Sequence, residues 1–164
     1  MAPTGSRDAT PRDPHGFDES RNVLADVLGK FVPQWLARRS TAVTVTTDRE
    51  TYRVGEPVEF TVTIENGLPL PVTIATPRPR LWGWSVDGDL EASDERVYVG
   101  DSPGTMSFRA RERKVVTQTW DGRFKRVGER ARWVEATPGP HEIRAFLALD
   151  GRRPTDAVTV YIEE

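Results

Sequence analysis

Tyr52-Arg53-Val54-Gly55-Glu56-Pro57-Val58-Glu59-Phe60-Thr61-Val62-Thr63-Ile64-Glu65-Asn66 carries the clearest pattern in the chain. From Val58 onward, apolar Val58, Phe60, Val62 and Ile64 alternate with Glu59, Thr61, Thr63 and Glu65. Side chains on a strand point alternately to opposite faces, so this segment is a strand with one apolar and one wet face. Gly55-Glu56-Pro57 punctuates its start and Asn66-Gly67 its end, both common turn chemistry. Such a strand must lay its apolar face on a second layer.

The flanking sequence supplies one. Ala42–Thr47 (A-V-T-V-T-T), Val72–Ala75, Leu81–Val86, Arg96–Val99, Met106–Ala110 and Val115–Trp120 all read as short strands. Ile143, Ala145, Leu147 and Leu149 alternate in a strand opening at His141, and Ala157–Ile162 closes the chain with Val158, Val160 and Ile162 on one face. Asp121–Pro140 reads as a long charged loop and Asp87–Glu95 as an acidic connection. Seven to nine short strands with turns between them predict an all-β fold over residues 40–164, an immunoglobulin-like antiparallel β-sandwich.

The residues before Ser40 differ in character. Residues 1–17, rich in Pro, Gly, Ser and charge, bury too little apolar surface to offset the entropy of ordering and read as a mobile tail. Over residues 18–39, Val23, Leu24, Val27, Leu28, Phe31, Val32, Trp35 and Leu36 recur in pairs four apart, the stripe of an amphipathic helix. Pro33 cannot donate to the carbonyl of Gly29, which predicts a bend. Asp26, Lys30 and Gln34 interrupt the apolar run, so no membrane span is expected. The helix packs on its own domain or docks a partner, a second copy or a membrane surface, with Phe31 and Trp35 as anchors.

Composition narrows function more by exclusion. A chain of 164 residues with 37% hydrophobic and 29% charged residues fits one soluble globular domain with appendages. It has no cysteine, hence no disulfide framework and no thiol nucleophile. The N-terminus lacks the apolar core of a secretory signal, so a cytoplasmic location is expected. No phosphate loop of the G-x-x-x-x-G-K type, no H-E-x-x-H and no G-x-S-x-G occurs, and His141 is the single histidine outside the tail. We expect no enzyme activity and no cofactor, with His141 a surface or turn residue. Asp87-Gly88-Asp89-Leu90-Glu91 invites comparison with a calcium loop. An EF-hand needs Gly at the sixth position and Glu at the twelfth, where Ala92 and Tyr98 stand.

Charge is uneven. Between Arg109 and Arg132, nine basic residues face only Glu112, Asp121 and Glu129, a local excess of +6 in a chain of net charge −2. No nucleic-acid motif accompanies them, so a solvated edge is expected and nucleic acid is not. Tryptophan packs in cores and also anchors interfaces. Trp120 and one of Trp82 and Trp84 suit the core. The candidate contacts for a protein partner are Phe31, Trp35, Trp82, Trp84, Arg123, Lys125, Arg126 and Trp133, carried by the helix and by the Trp82–Glu95 and Asp121–Pro140 connections.

Leu81-Trp82-Gly83-Trp84-Ser85, Phe108–Glu112, Trp120-Asp121-Gly122, Gly128 and Thr137-Pro138-Gly139-Pro140-His141-Glu142-Ile143-Arg144-Ala145 together resemble the intracellular proteinase inhibitor family of the BsuPI type. Val58–Asn66 is similar to that family's opening apolar strand ending in Asn. The resemblance runs from Glu50 to Leu149 and implies an immunoglobulin-like sandwich that binds a protease. Ala110-Arg111-Glu112 stands where the family tends to have Pro-Gly-Glu, and His141 where it has an aromatic residue. Matches at scaffold positions carry a fold further than an activity, and no reactive-site loop is carried over.

Overall fold

A computed structural model describes residues 32–77, 81–90, 103–126, 132–149 and 153–164. The expected tail, the helical stripe as far as Phe31, Glu91–Glu95 of the acidic connection and the Arg96–Val99 strand lie outside the described residues.

The described chain is built almost wholly of strands, an all-β sandwich. One sheet has the order β1 (Thr41–Thr47), β3 (Val58–Asn66), β8 (Arg113–Trp120), each pair antiparallel. The second has the order β2 (Thr51–Arg53), β12 (Thr155–Glu163), β11 (Gly139–Leu147), β5 (Trp82–Val86), β6 (Asp89–Leu90), with β2 parallel to β12. Two small antiparallel pairs complete it: β4 (Val72–Thr76) with β7 (Gly104–Phe108), and β9 (Arg123–Arg126) with β10 (Arg132–Glu135).

The alternation that predicts β3 is the one observed. Val58, Phe60, Val62 and Ile64 are buried while Glu59 is exposed and the threonines are half-buried. The apolar faces of β1, β5, β11 and β12 meet it, with Val43, Val45, Trp84, Ile143, Ala145, Leu147 and Val160 in one core. Phe60 of β3 and Trp84 of β5 join the two sheets edge to face, ring centroids 5.0 Å apart. Each such side chain contributes about 1.5–3 kcal/mol on burial, set against roughly 1–2 kcal/mol per residue for ordering the backbone.

Tyr52 belongs to a different sheet from the residues that follow it. Gly55, at φ +77°, turns the chain between the sheets, a conformation glycine adopts without a Cβ clash. Where β3 ends, buried Asn66 closes the next connection with its side chain. Its Nδ2 donates to the carbonyls of Leu70 (2.8 Å) and Arg109 (2.9 Å), and its Oδ1 accepts from the Leu68 N–H (3.0 Å).

A helix, α1 (Gln34–Ser40), starts directly after Pro33; the rest of the stripe expected over residues 18–39, with the Gly29 side of the expected bend, lies outside the described residues. It buries Ala37 and lies against β4. Gln34 completes the contact by acting as a piece of strand. Its Nε2 donates to the Thr73 carbonyl (2.8 Å) and its Oε1 accepts from the Ala75 N–H (3.0 Å). This satisfies backbone groups that an open strand edge would present to another chain. No helix among the described residues is long and apolar enough to cross a membrane.

Candidate functional site

The surface that brings four of the eight candidate residues together lies at one end of the sandwich, and it is better structured than the sequence implies. The Asp121–Pro140 stretch is not one loop: it contains the β9–β10 hairpin. The hairpin escapes a search for alternation because R-F-K-R buries only Phe124 and R-W-V-E buries nothing. A strand without a buried face carries no period-two apolar signal.

Cross-strand partners share a face, so the pairs Arg123↔Glu135 and Lys125↔Trp133 lie on one side and Phe124↔Val134 and Arg126↔Arg132 on the other. The contacts agree. Arg123 approaches Glu135 at 3.8 Å, and Lys125 Nζ stands 5.6 Å from the centre of the Trp133 ring. On the opposite side Arg126 lies over Phe124 and pairs with Asp89 of β6 at 2.6 Å. Trp120 holds the base of the hairpin: its indole N–H donates to the Arg123 carbonyl (2.9 Å) and its ring packs on Phe124.

Beneath the hairpin sits His141, only 6% exposed, in place of the expected surface or turn histidine. Its ring packs against Trp120 and Phe124 at 5.6 and 6.0 Å, which gives an aromatic-like role to a residue standing where the resembled family has an aromatic. Nδ1 meets Asp87 Oδ2 at 2.6 Å, and Nε2 donates to the Thr137 carbonyl at 2.7 Å. Both ring nitrogens are turned to protein partners, so neither is presented to a substrate. Asp87 also accepts the Glu142 N–H through Oδ1 (2.8 Å). Asp87 (φ +50°) and Gly88 (φ +85°) form the two-residue turn between β5 and β6. Asp-Gly between strands is a strong hairpin signal, so a turn could have been read here in place of an open acidic connection. Its two aspartates hold His141 and Arg126, and so join three elements at this end.

The eight candidate residues therefore separate. Arg123, Lys125, Arg126 and Trp133 come together on the hairpin. Trp133 is 43% exposed and Trp35, on the outer side of α1, is 67% exposed. Trp82 is half-buried against the core and shares a face with Trp84. Trp84 is corrected to a core residue: at 2% exposed beneath Phe60 it has no surface to offer a partner. Phe31 lies outside the described residues.

An all-β sandwich with a hairpin that carries one exposed tryptophan, Trp133, beside a group of basic residues is the class of protein these observations define. The chain belongs to a family of unknown function, DUF7974, which matches residues 29–163. No curated protein matches it. Among solved structures, it is similar to a β-glucosidase from Listeria innocua in complex with isofagomine (17% identity over 74% of this chain and 16% of that one, TM-score 0.45). It is also similar to the sporulation control protein Spo0M from Bacillus subtilis (14%, 76% and 50%, TM-score 0.46). A third is the Pseudomonas fluorescens alkylpurine DNA glycosylase AlkC bound to DNA containing an abasic site analog (13%, 88% and 36%, TM-score 0.44). The chain spans between 16% and 50% of the length of these proteins.

Proposed function

We propose that this protein is a non-catalytic protein-binding domain with an immunoglobulin-like sandwich, acting as an intracellular proteinase inhibitor through the hairpin end. The observation that carries the reading is β10. All four of its residues are exposed, and Trp133 stands on it beside Lys125 rather than in the core. Exposed tryptophan and arginine on a braced element are the residue types that dominate protein interfaces. The resemblance to the BsuPI-type inhibitors points the same way. It is supported at the Ala110-Arg111-Glu112 turn, where Arg111 holds φ +57° at the position the family tends to fill with Gly. Inhibition would be occlusion of a protease by the hairpin and its neighbouring turns.

Titration against a panel of serine and metalloproteases tests this. Loss of protease activity near an equimolar ratio is the expected result, and slow cleavage of the protein with no inhibition would sink it. Trp35 favours a second reading, a scaffold module docking a partner or a second copy through the N-terminal helix. Under that reading a chain shortened to begin at Ser40 stays folded but loses the partner, whereas under the first it keeps its inhibitory activity.

A further inference from the structure

Among the described residues, the outer edge of β10 meets no backbone partner, and its register is defined. Ala136 N–H donates to the Gly122 carbonyl (2.7 Å), which marks position 136 as one whose backbone groups face β9. In an antiparallel pair, alternate residues face alternate edges. Val134 and Arg132 therefore also bond toward β9, and the N–H and C=O of Trp133 and Glu135 point away from it. The same alternation turns Arg123 and Lys125 outward on β9, and the Trp120 indole takes up the Arg123 carbonyl there. Nothing among the described residues does the same for β10, which is the end strand of its two-stranded sheet. The contrast with β4 is plain, because Gln34 is spent on closing that edge.

Charge selects what could pair there. Of the four cations on the strands β9 and β10, Arg123 faces Glu135 and Arg126 is held by Asp89. Among the described residues, Lys125 on one face and Arg132 on the other have no carboxylate partner, so the described part of this edge carries a positive surplus. A second copy of the chain would bring the same cations against themselves. Nucleic acid would use the phosphates but would leave the outward N–H and C=O of the edge without matching partners.

We infer that β10 binds an acidic, extended peptide segment of a partner protein by strand addition, its backbone pairing with Trp133 and Glu135 and its carboxylates, all on one face of the added strand, meeting Arg132. Strand addition takes affinity from main-chain hydrogen bonds and selectivity from alternate side chains. This inference rests on the proposed protein-binding reading and specifies its partner.

The test uses the full chain, Trp133 fluorescence against a W133F background, and a blocked six-residue peptide of alternating glutamate and valine. E135P removes one outward N–H, leaves the bonds toward β9 intact and makes the edge more positive; a proline is tolerated on an edge strand. E135Q makes the same charge change and keeps the N–H. The expected result is saturable binding, weakened roughly tenfold by E135P and unchanged or strengthened by E135Q. R132E should weaken binding and flatten its salt dependence, with unchanged melting temperatures showing that the variants fold. Equal affinity of E135P and E135Q would overturn the inference. So would equal binding of a lysine–valine peptide, tighter binding of a single-stranded oligothymidylate, or dimerisation of the protein through this edge. If the acidic peptide fails while the protein still inhibits a protease, strand addition falls and the inhibitor reading stands. If the peptide binds and no protease is inhibited, strand addition stands alone.

Discussion

Asn66 offers the sharpest test of how this sandwich is held together. It is fully buried at the end of β3, and its side chain makes three hydrogen bonds to backbone groups of Leu68, Leu70 and Arg109. These tie the turn leaving β3 to the connection between β7 and β8. Each hydrogen bond contributes about 0.5–1.5 kcal/mol net, so Asn66→Ala removes roughly 1.5–4.5 kcal/mol, with two stranded carbonyls favouring the upper half. Against a total of about 5–15 kcal/mol this is a large fraction. With a urea dependence of about 2 kcal/mol per molar, the unfolding midpoint should fall by roughly 1–2 M at unchanged slope. Asn66→Asp separates hydrogen bonding from packing. It preserves the volume and the bond from the Leu68 N–H but turns a carboxylate toward the carbonyls of Leu70 and Arg109. It should therefore be at least as destabilising as Asn66→Ala at neutral pH. If both variants unfold within about 0.5 kcal/mol of the parent, the network contributes nothing and the reasoning is refuted.

Two further outcomes are expected. Arg111→Gly should raise the melting temperature by about 1–4 °C, since a left-handed conformation costs an L-residue roughly 1–2 kcal/mol and glycine returns part of that as entropy; a lower melting temperature would show that the Arg111 side chain has a role the turn does not reveal. Burial, reinforced by its bond to Asp48, pushes the Tyr52 hydroxyl up to about 12 from 10.0. Between those values the unfolded chain gives up a proton that the folded chain keeps, so this contribution is complete below pH 10.0 and is lost as pH rises toward 12. Tyr52→Phe should remove both the late component of the tyrosinate absorbance titration and this part of the alkaline loss of stability.

Much of the scaffold is legible from residues 41–164 because a half-buried strand writes its faces into alternate positions. Val58–Ile64, Ile143–Leu149 and Val158–Ile162 show this, and the structure buries the faces they indicate, with Val158 only partly covered. What alternation cannot say is which strands pair or how the ends are braced. Trp82 and Trp84 have the same residue type two positions apart, yet Trp84 is buried, edge to face with Phe60 across the sandwich, while Trp82 is only half-buried. His141 looks like a solvent histidine until Asp87, fifty-four positions earlier, and Trp120 close over it. The β9–β10 hairpin is the strongest case. Its strands are too charged to announce themselves, and they exist because Trp120, Asp89 and the turn at Gly122 position them. Local periodicity identifies the faces of the sandwich; contacts between residues far apart in the chain decide which aromatic groups are core.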